Sequence, residues 1–157
     1  MESFSYYDLG RIEYGKALDL QTNSFESLID AKRKGLEEKN CLYFCEHNPV
    51  LTLGKSWKET NLLVPELLLK EKGVSLFHID RGGDITYHGP GQITGYPVFD
   101  LDGFGMGLKA YIHTLEDIVI EFLLLYGVKA ERLDGATGVW LDSKVPGVAR
   151  KICAIGV

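Results

Sequence analysis

Lys151 and Cys153 stand two residues apart in the C-terminal run KICAIG. On a strand that spacing puts both side chains on one face. A lysine ammonium beside a thiol favours the thiolate and so makes a nucleophile. The plainer reading is a strand-buried Cys153 with Lys151 reaching solvent, and the local sequence alone favours it. A second set of residues lies in the run Arg81-Gly82-Gly83-Asp84-Ile85-Thr86-Tyr87-His88-Gly89-Pro90-Gly91-Gln92, which holds four glycines in twelve residues. Glycine lets a backbone approach a ligand closely, at an entropic cost. A simple turn has no use for Arg81, Thr86, Tyr87 and His88 together, so this run is the candidate binding segment, with His88 its candidate substrate contact. It lacks the Gly-Lys-Ser/Thr ending of a Walker phosphate loop. The residues after it read as a strand, so no helix N-terminus waits to take a phosphate. A long, uncharged ligand such as an acyl chain fits better.

Other reactive side chains are weaker candidates. Cys41 and Cys45 share a strand face, and His47 joins them if the strand stays regular. A metal site needs more ligands than these, and buried structural cysteines are the default. His78, on the strand entering the Gly-rich run, and His113, beside core positions in the second long helix, read as structural.

The elements that must position these residues follow from periodicity. A short strand from Phe4 to Leu9 is predicted to break at Gly10. An amphipathic helix is predicted from Arg11 to about Lys39, with its stripe at Tyr14, Leu18, Gln21, Phe25, Leu28 and Lys32. Strands are predicted at Cys41–His47, Val50–Gly54, Val74–Asp80 and Ile93–Leu101, the last an edge or bulged strand because of Pro97. Pro65 opens a short helix. A second long helix runs from Gly107 to Tyr126, with a stripe at Leu108, Tyr111, Leu115, Ile118, Phe122 and Leu125, and Gly127 ends it. Strands at Val128–Leu133, Val139–Asp142 and Lys151–Val157 complete an α+β domain, a mixed sheet with two long helices.

The 157 residues suggest a single domain, 1–157. The net charge of -5 argues against nucleic acid as a partner. No apolar run is long enough for a membrane span, and the N-terminus resembles no signal or transit peptide. Three cysteines without a dense framework suit a reducing compartment, hence a cytoplasmic protein. From Lys129 onward five basic residues face three acidic ones, a local excess suited to steering an acidic carrier or simply to a solvated loop.

At the motifs EHNPVLTLG (Glu46 to Gly54), RGGDITYHGPGQITGYPVFDL (Arg81 to Leu101), GVWL (Gly138 to Leu141) and KICAIG (Lys151 to Gly156), the chain resembles the octanoyltransferases of lipoate biosynthesis. The resemblance implies the fold of the biotin and lipoate protein ligase catalytic domain. It implies transfer of an octanoyl group from acyl carrier protein to a lysine of lipoyl-accepting domains, in 2-oxoacid dehydrogenase complexes and the glycine cleavage H protein. The route is a cysteine thioester, and no metal or other cofactor is needed. By the same resemblance Arg81, Gly82, Gly83, Asp84, Ile85, Thr86, Tyr87 and His88 line the acyl pocket, Ala154, Ile155 and Gly156 bind on its other side, and Lys151 lowers the pKa of the catalytic cysteine. That cysteine belongs to a Pro-Cys-Gly motif expected beyond Val157, so Cys153 is not the nucleophile and is expected to be buried. The chain is therefore expected to be a truncated form with doubtful activity of its own. An ATP-dependent lipoate or biotin ligase, and a non-catalytic acyl- or carrier-binding relative, are the alternatives.

Overall fold

A strand reaches a parallel partner only through a crossover connection, usually a helix, and that is how the N-terminal region is built. The computed structural model describes residues 3–37 and 39–157. Strand β1 (Phe4–Ile12) pairs in parallel with β2 (Asn40–His47), and helix α1 (Tyr14–Lys34) makes the crossover. Strand β6 (Thr94–Val98) pairs antiparallel on the other side of β2, in the order β1-β2-β6. The centre of a second sheet is β3 (Val50–Leu53). It is parallel to β4 (Ser75–His78) and antiparallel to β5 (Ile85–His88), and the short helix α2 (Glu66–Glu71) precedes β4. These elements form one compact unit, which ends at Asp100. A second unit, Leu101–Val157, holds α3 (Leu108–Leu125) and an antiparallel sheet of β7 (Glu131–Leu133), β8 (Ala136–Leu141) and β9 (Arg150–Cys153).

The α+β class and the two long helices are as the sequence implies. Among the described residues, however, the strands fall into three sheets of three, two mixed and one antiparallel. Gly10 does not end β1. It takes φ +57°, its N–H bonds to Asp8 Oδ1 at 2.9 Å, and the pairing slips between Asp8 and Arg11 before resuming. Helix α1 is shorter at both ends than predicted: pairing with β2 claims Arg11 and Ile12, and Gly35 closes the helix in the left-handed conformation.

Strand β2 alternates cleanly. Cys41, Tyr43, Cys45 and His47 are buried, and α1 covers that face with Leu28. Ser24 meets the sheet through a 2.7 Å hydrogen bond to the Tyr43 hydroxyl. Phe25, one residue further round the helix, is 56% exposed, so it leaves the predicted stripe. The predicted stripe of α3 turns in the same way: Tyr111 and Glu116 are buried, while Ile118, Phe122 and Leu125 are exposed. Pro97 lies on β6, an edge strand, where its missing N–H costs nothing. Among the described residues no helix is long and apolar enough to cross a membrane.

Candidate functional site

The Gly-rich run is two structures in one. Residues Arg81–Asp84 form a loop, and Ile85–His88 form β5, a strand the sequence pattern did not reveal. The loop is clamped to the end of β3 by three backbone bonds, from Gly54 N to Asp84 O at 3.0 Å, Lys55 N to Arg81 O at 2.9 Å and Ser56 N to Gly83 O at 3.0 Å. The approach is so close that a Cβ at Gly54 would stand 2.5 Å from Gly83 O. Only glycine fits there.

The Arg81 side chain completes the clamp. One guanidinium nitrogen donates to Gly82 O at 2.8 Å. The other donates to Thr52 O and Thr52 Oγ1, both at 3.0 Å, and to Asp84 O at 3.1 Å. Thr52 is wholly buried, so those acceptors have no water. The planar guanidinium reaches Gly82 through one nitrogen and Thr52 and Asp84 through another, a separation that a single ammonium nitrogen lacks. Asp84 in turn accepts a hydrogen bond from the Asn61 amide.

At its far end β5 delivers His88 to a cluster of rings. His88 stacks on Tyr14 at 6.2 Å between centroids and meets His47 edge-on at 5.8 Å. Its Nδ1 lies 2.6 Å from Gln92 Oε1. An amide oxygen only accepts, so the proton is assigned to Nδ1 and the Nε2 lone pair is left available. Burial holds the His88 pKa below its usual value, against the opposing pull of Gln92, with the positive charge of Arg81 adding to the lowering. His88 is thus a neutral imidazole near pH 7, a hydrogen-bond acceptor at the strand's end. Tyr87, on the opposite face of the strand, is half exposed.

The sequence offers His47 only as a metal ligand, yet it organises this cluster. It is fully buried; its Nδ1 donates to Ile12 O at 2.9 Å and its Nε2 accepts from the Tyr96 hydroxyl at 2.8 Å, with Cys45 Sγ at 3.4 Å. Burial raises the Cys45 thiol to about 11, the nearby Asp8 carboxylate adding to the rise. Among the described residues no three His, Cys, Asp or Glu side chains are grouped to hold a metal ion. Two open clefts in this unit, of about 590 Å³ beside Tyr6, Phe44 and Ile93 and about 470 Å³ beside Tyr14, Pro49 and Phe77, take no lining residue from Arg81–His88.

The neutral His88 has a consequence for stability. Unfolded histidine titrates near 6.5, and the folded value is lower. Between the two values the unfolded chain binds more protons, so stability falls as pH drops through about 6.5. Urea unfolding at pH 7.5 and 5.5 is expected to show a smaller acid loss in His88→Phe than in the unaltered protein. An equal loss in both would remove His88 as its source.

In the second unit β9 carries Lys151, and Ala154, Ile155 and Gly156 follow it directly. The β8–β9 register is irregular. Trp140 opposes Lys151, while the next residue back, Val139, opposes Cys153. Neighbouring residues of β8 face opposite sides, so Lys151 and Cys153 do not share the face their spacing predicts. Ile152 is the extra residue that breaks the alternation. Cys153 is half-buried rather than buried, and its thiol is pushed up by burial and by the Glu116 carboxylate, with Lys151 opposing. Such a thiol is a poor nucleophile. Lys144 and Arg150, counted in the basic excess, are paired with Glu131 at 2.8 Å and Asp142 at 2.6 Å.

Comparison with known proteins gives this geometry a context. Residues 14–157 match the family described as the lipoyl protein ligase A/B catalytic domain. The chain belongs to that family. Over all 157 residues it is 68% identical to an octanoyltransferase of Parabacteroides distasonis and spans 71% of that protein's length. Over 154 residues it is 55% identical to an octanoyltransferase of Porphyromonas gingivalis, of which it spans 31%. Over 146 residues it is 54% identical to one from Bacteroides fragilis, of which it spans 66%. In fold it resembles a bipartite lipoate protein ligase of Thermoplasma acidophilum, with a TM-score of 0.63, 17% identity, and 96% of this chain and 54% of that one covered. A lipoate-protein ligase A solved with ATP gives a TM-score of 0.55 at 17% identity, covering 85% of this chain and 51% of that one. The resemblance read from the four motifs and the ligase-like fold are both borne out.

Proposed function

We propose that the chain is the acyl-binding and lysine-bearing part of a cytoplasmic octanoyltransferase. The observation that carries this reading is the 68% identity to an octanoyltransferase along the whole chain. In the proposed reaction a cysteine thiolate attacks the carbonyl of an octanoyl thioester on acyl carrier protein. The carrier leaves as its thiolate, which takes up the proton the cysteine gave up, and the acyl group rests on the enzyme cysteine. The amine of an acceptor lysine then attacks that thioester. The C–N bond forms, the C–S bond breaks, the amine gives up a proton, and the thiol is restored. The acceptors are lipoyl domains of 2-oxoacid dehydrogenase complexes and the glycine cleavage H protein. The energy comes from the thioester, so the reaction consumes no ATP.

In this scheme Arg81–His88 and Ala154–Gly156 bind the acyl group, and Lys151 stabilises the cysteine thiolate. The nucleophile in this scheme is the cysteine of the Pro-Cys-Gly motif that the resemblance implies. Cys153, with its raised pKa, does not replace it.

The test joins residues 1–157 to a C-terminal segment that carries a Pro-Cys-Gly motif and supplies octanoyl-carrier protein and an unmodified lipoyl domain. Mass spectrometry of the acceptor lysine is expected to show octanoylation without ATP. Lys151→Ala is expected to slow it about tenfold, the loss that follows when a thiol pKa rises by one unit. Modification that requires ATP and free octanoate would support a ligase instead.

A further inference from the structure

Strands β8 and β9 bring one aromatic face to one ammonium. Trp140 opposes Lys151 across the antiparallel pair, and Lys151 Nζ stands 4.6 Å from the centre of the indole. Tryptophan offers the strongest cation–π face of the side chains. The ring is itself held, since its Nε1–H donates to Ala136 O at 3.1 Å. The lysine stem reaches the ring by passing over Gly138, where a Cβ would come 3.5 Å from Lys151 Cδ and would collide with the Cys153 carbonyl oxygen. Gly138 has φ +112°, a conformation that favours glycine. From beneath, α3 fixes this point: Glu116, 3% exposed, accepts the Gly138 N–H at 2.8 Å.

We propose that Trp140 is a positioning residue for Lys151: the indole seats the ammonium at one place above β8, and the Glu116–Gly138 hydrogen bond fixes the strand path beneath it. The functional meaning rests on the role proposed above for Lys151. A lysine on an open strand end samples many rotamers, and fixing one costs entropy. A ring already in place meets that cost before substrate arrives, and presents the cation where a thiolate must form.

The test uses the 157-residue chain with its lysines converted to ¹³C-dimethyl-lysine, which keeps the charge. The Lys151 signal is assigned by its absence in Lys151→Arg. It is expected upfield of the other lysine signals because it lies over the indole face. The upfield shift is expected to vanish in Trp140→Leu and to persist at reduced size in Trp140→Phe, which keeps a weaker π-face. It is expected to shrink in Glu116→Ala, which removes the acceptor of the Gly138 N–H. A Lys151 signal among those of freely exposed lysines in the unaltered chain overturns the proposal, whatever the variants do. So does a shift that survives Trp140→Leu, or a Trp140→Phe chain that is folded yet loses as much as Trp140→Leu. The two readings fail separately. If Lys151→Ala leaves octanoyl transfer unchanged, the catalytic role of the lysine falls while its seat on Trp140 stands.

Discussion

Replacing Glu116 with alanine is expected to cost about 3 kcal/mol, the lower end of what removing one partner of a buried charge pair costs. Glu116 is a buried acid that binds two segments to α3. Its Oε1 accepts the Gly138 N–H at 2.8 Å, and its Oε2 accepts Arg132 Nε at 2.7 Å with His113 Nδ1 at 3.3 Å. Burial alone would push its carboxyl up, but Gly138, Arg132 and His113 together hold it below the ordinary value. Alanine leaves the Gly138 N–H buried without a partner. Arg132 suffers less, because it is about a third exposed and keeps Asp117 at 2.7 Å and the His113 carbonyl at 2.8 Å. Because the folded pKa of Glu116 is depressed, its contribution is present above the ordinary glutamate value of about 4.3 and is lost as pH falls through the folded value. Glu116→Gln, which keeps an acceptor for Gly138, is expected to cost less than alanine at pH 7. Urea unfolding of the three proteins at pH 7 and pH 4 checks both statements. A loss below about 1 kcal/mol for alanine at pH 7 would reduce Glu116 to the standing of a surface ion pair.

The importance of Glu116 was not legible in the sequence, and the reason is physical. One of three carboxylates in the run IHTLEDIVIEF looks like a solvated position until its partner is known, and Gly138 lies on another element. The same holds for His47, whose alternation with Cys41 and Cys45 was visible while its bonds to Ile12 and Tyr96 were not. Local chemistry was readable where one residue decides the outcome: Pro65 before α2, Gly127 after α3 and Pro97 on an edge strand. It failed where pairing decides. Gly10 reads as a strand end but is a bulge, because β2 offers hydrogen bonds on both sides of it. β5 was hidden because Ile-Thr-Tyr-His between glycines shows no apolar run, and it exists because β3 needed a second partner. The extra residue Ile152 cancelled the shared face inferred for Lys151 and Cys153. The motifs themselves were readable as a resemblance, and the whole-length match to octanoyltransferases supports that resemblance.

Arg81 is where motif and architecture meet, and its substitution separates scaffold from contact. Both guanidinium nitrogens that bond do so within the clamp, to Gly82, Thr52 and Asp84. Arg81→Lys keeps the charge and loses the fork. It is expected to cost about 2 kcal/mol, since one ammonium cannot serve the separate acceptors and the buried Thr52 oxygens lose charge-assisted bonds. Arg81→Ala is expected to cost about 3 kcal/mol by the same reasoning. The loss should be local. Amide exchange at Gly54, Lys55 and Ser56, whose N–H groups bond to the loop, should quicken about thirtyfold in Arg81→Lys if opening of the clamp governs it. The amides that join β1 to β2 should be unchanged. If Arg81–His88 bind the acyl group as proposed, octanoyl binding should weaken in step with that exchange, because a loop that no longer holds its path cannot shape a pocket. A lysine variant that loses binding while Gly54–Ser56 exchange stays slow would give the guanidinium a direct contact with the acyl substrate in place of its role in the clamp.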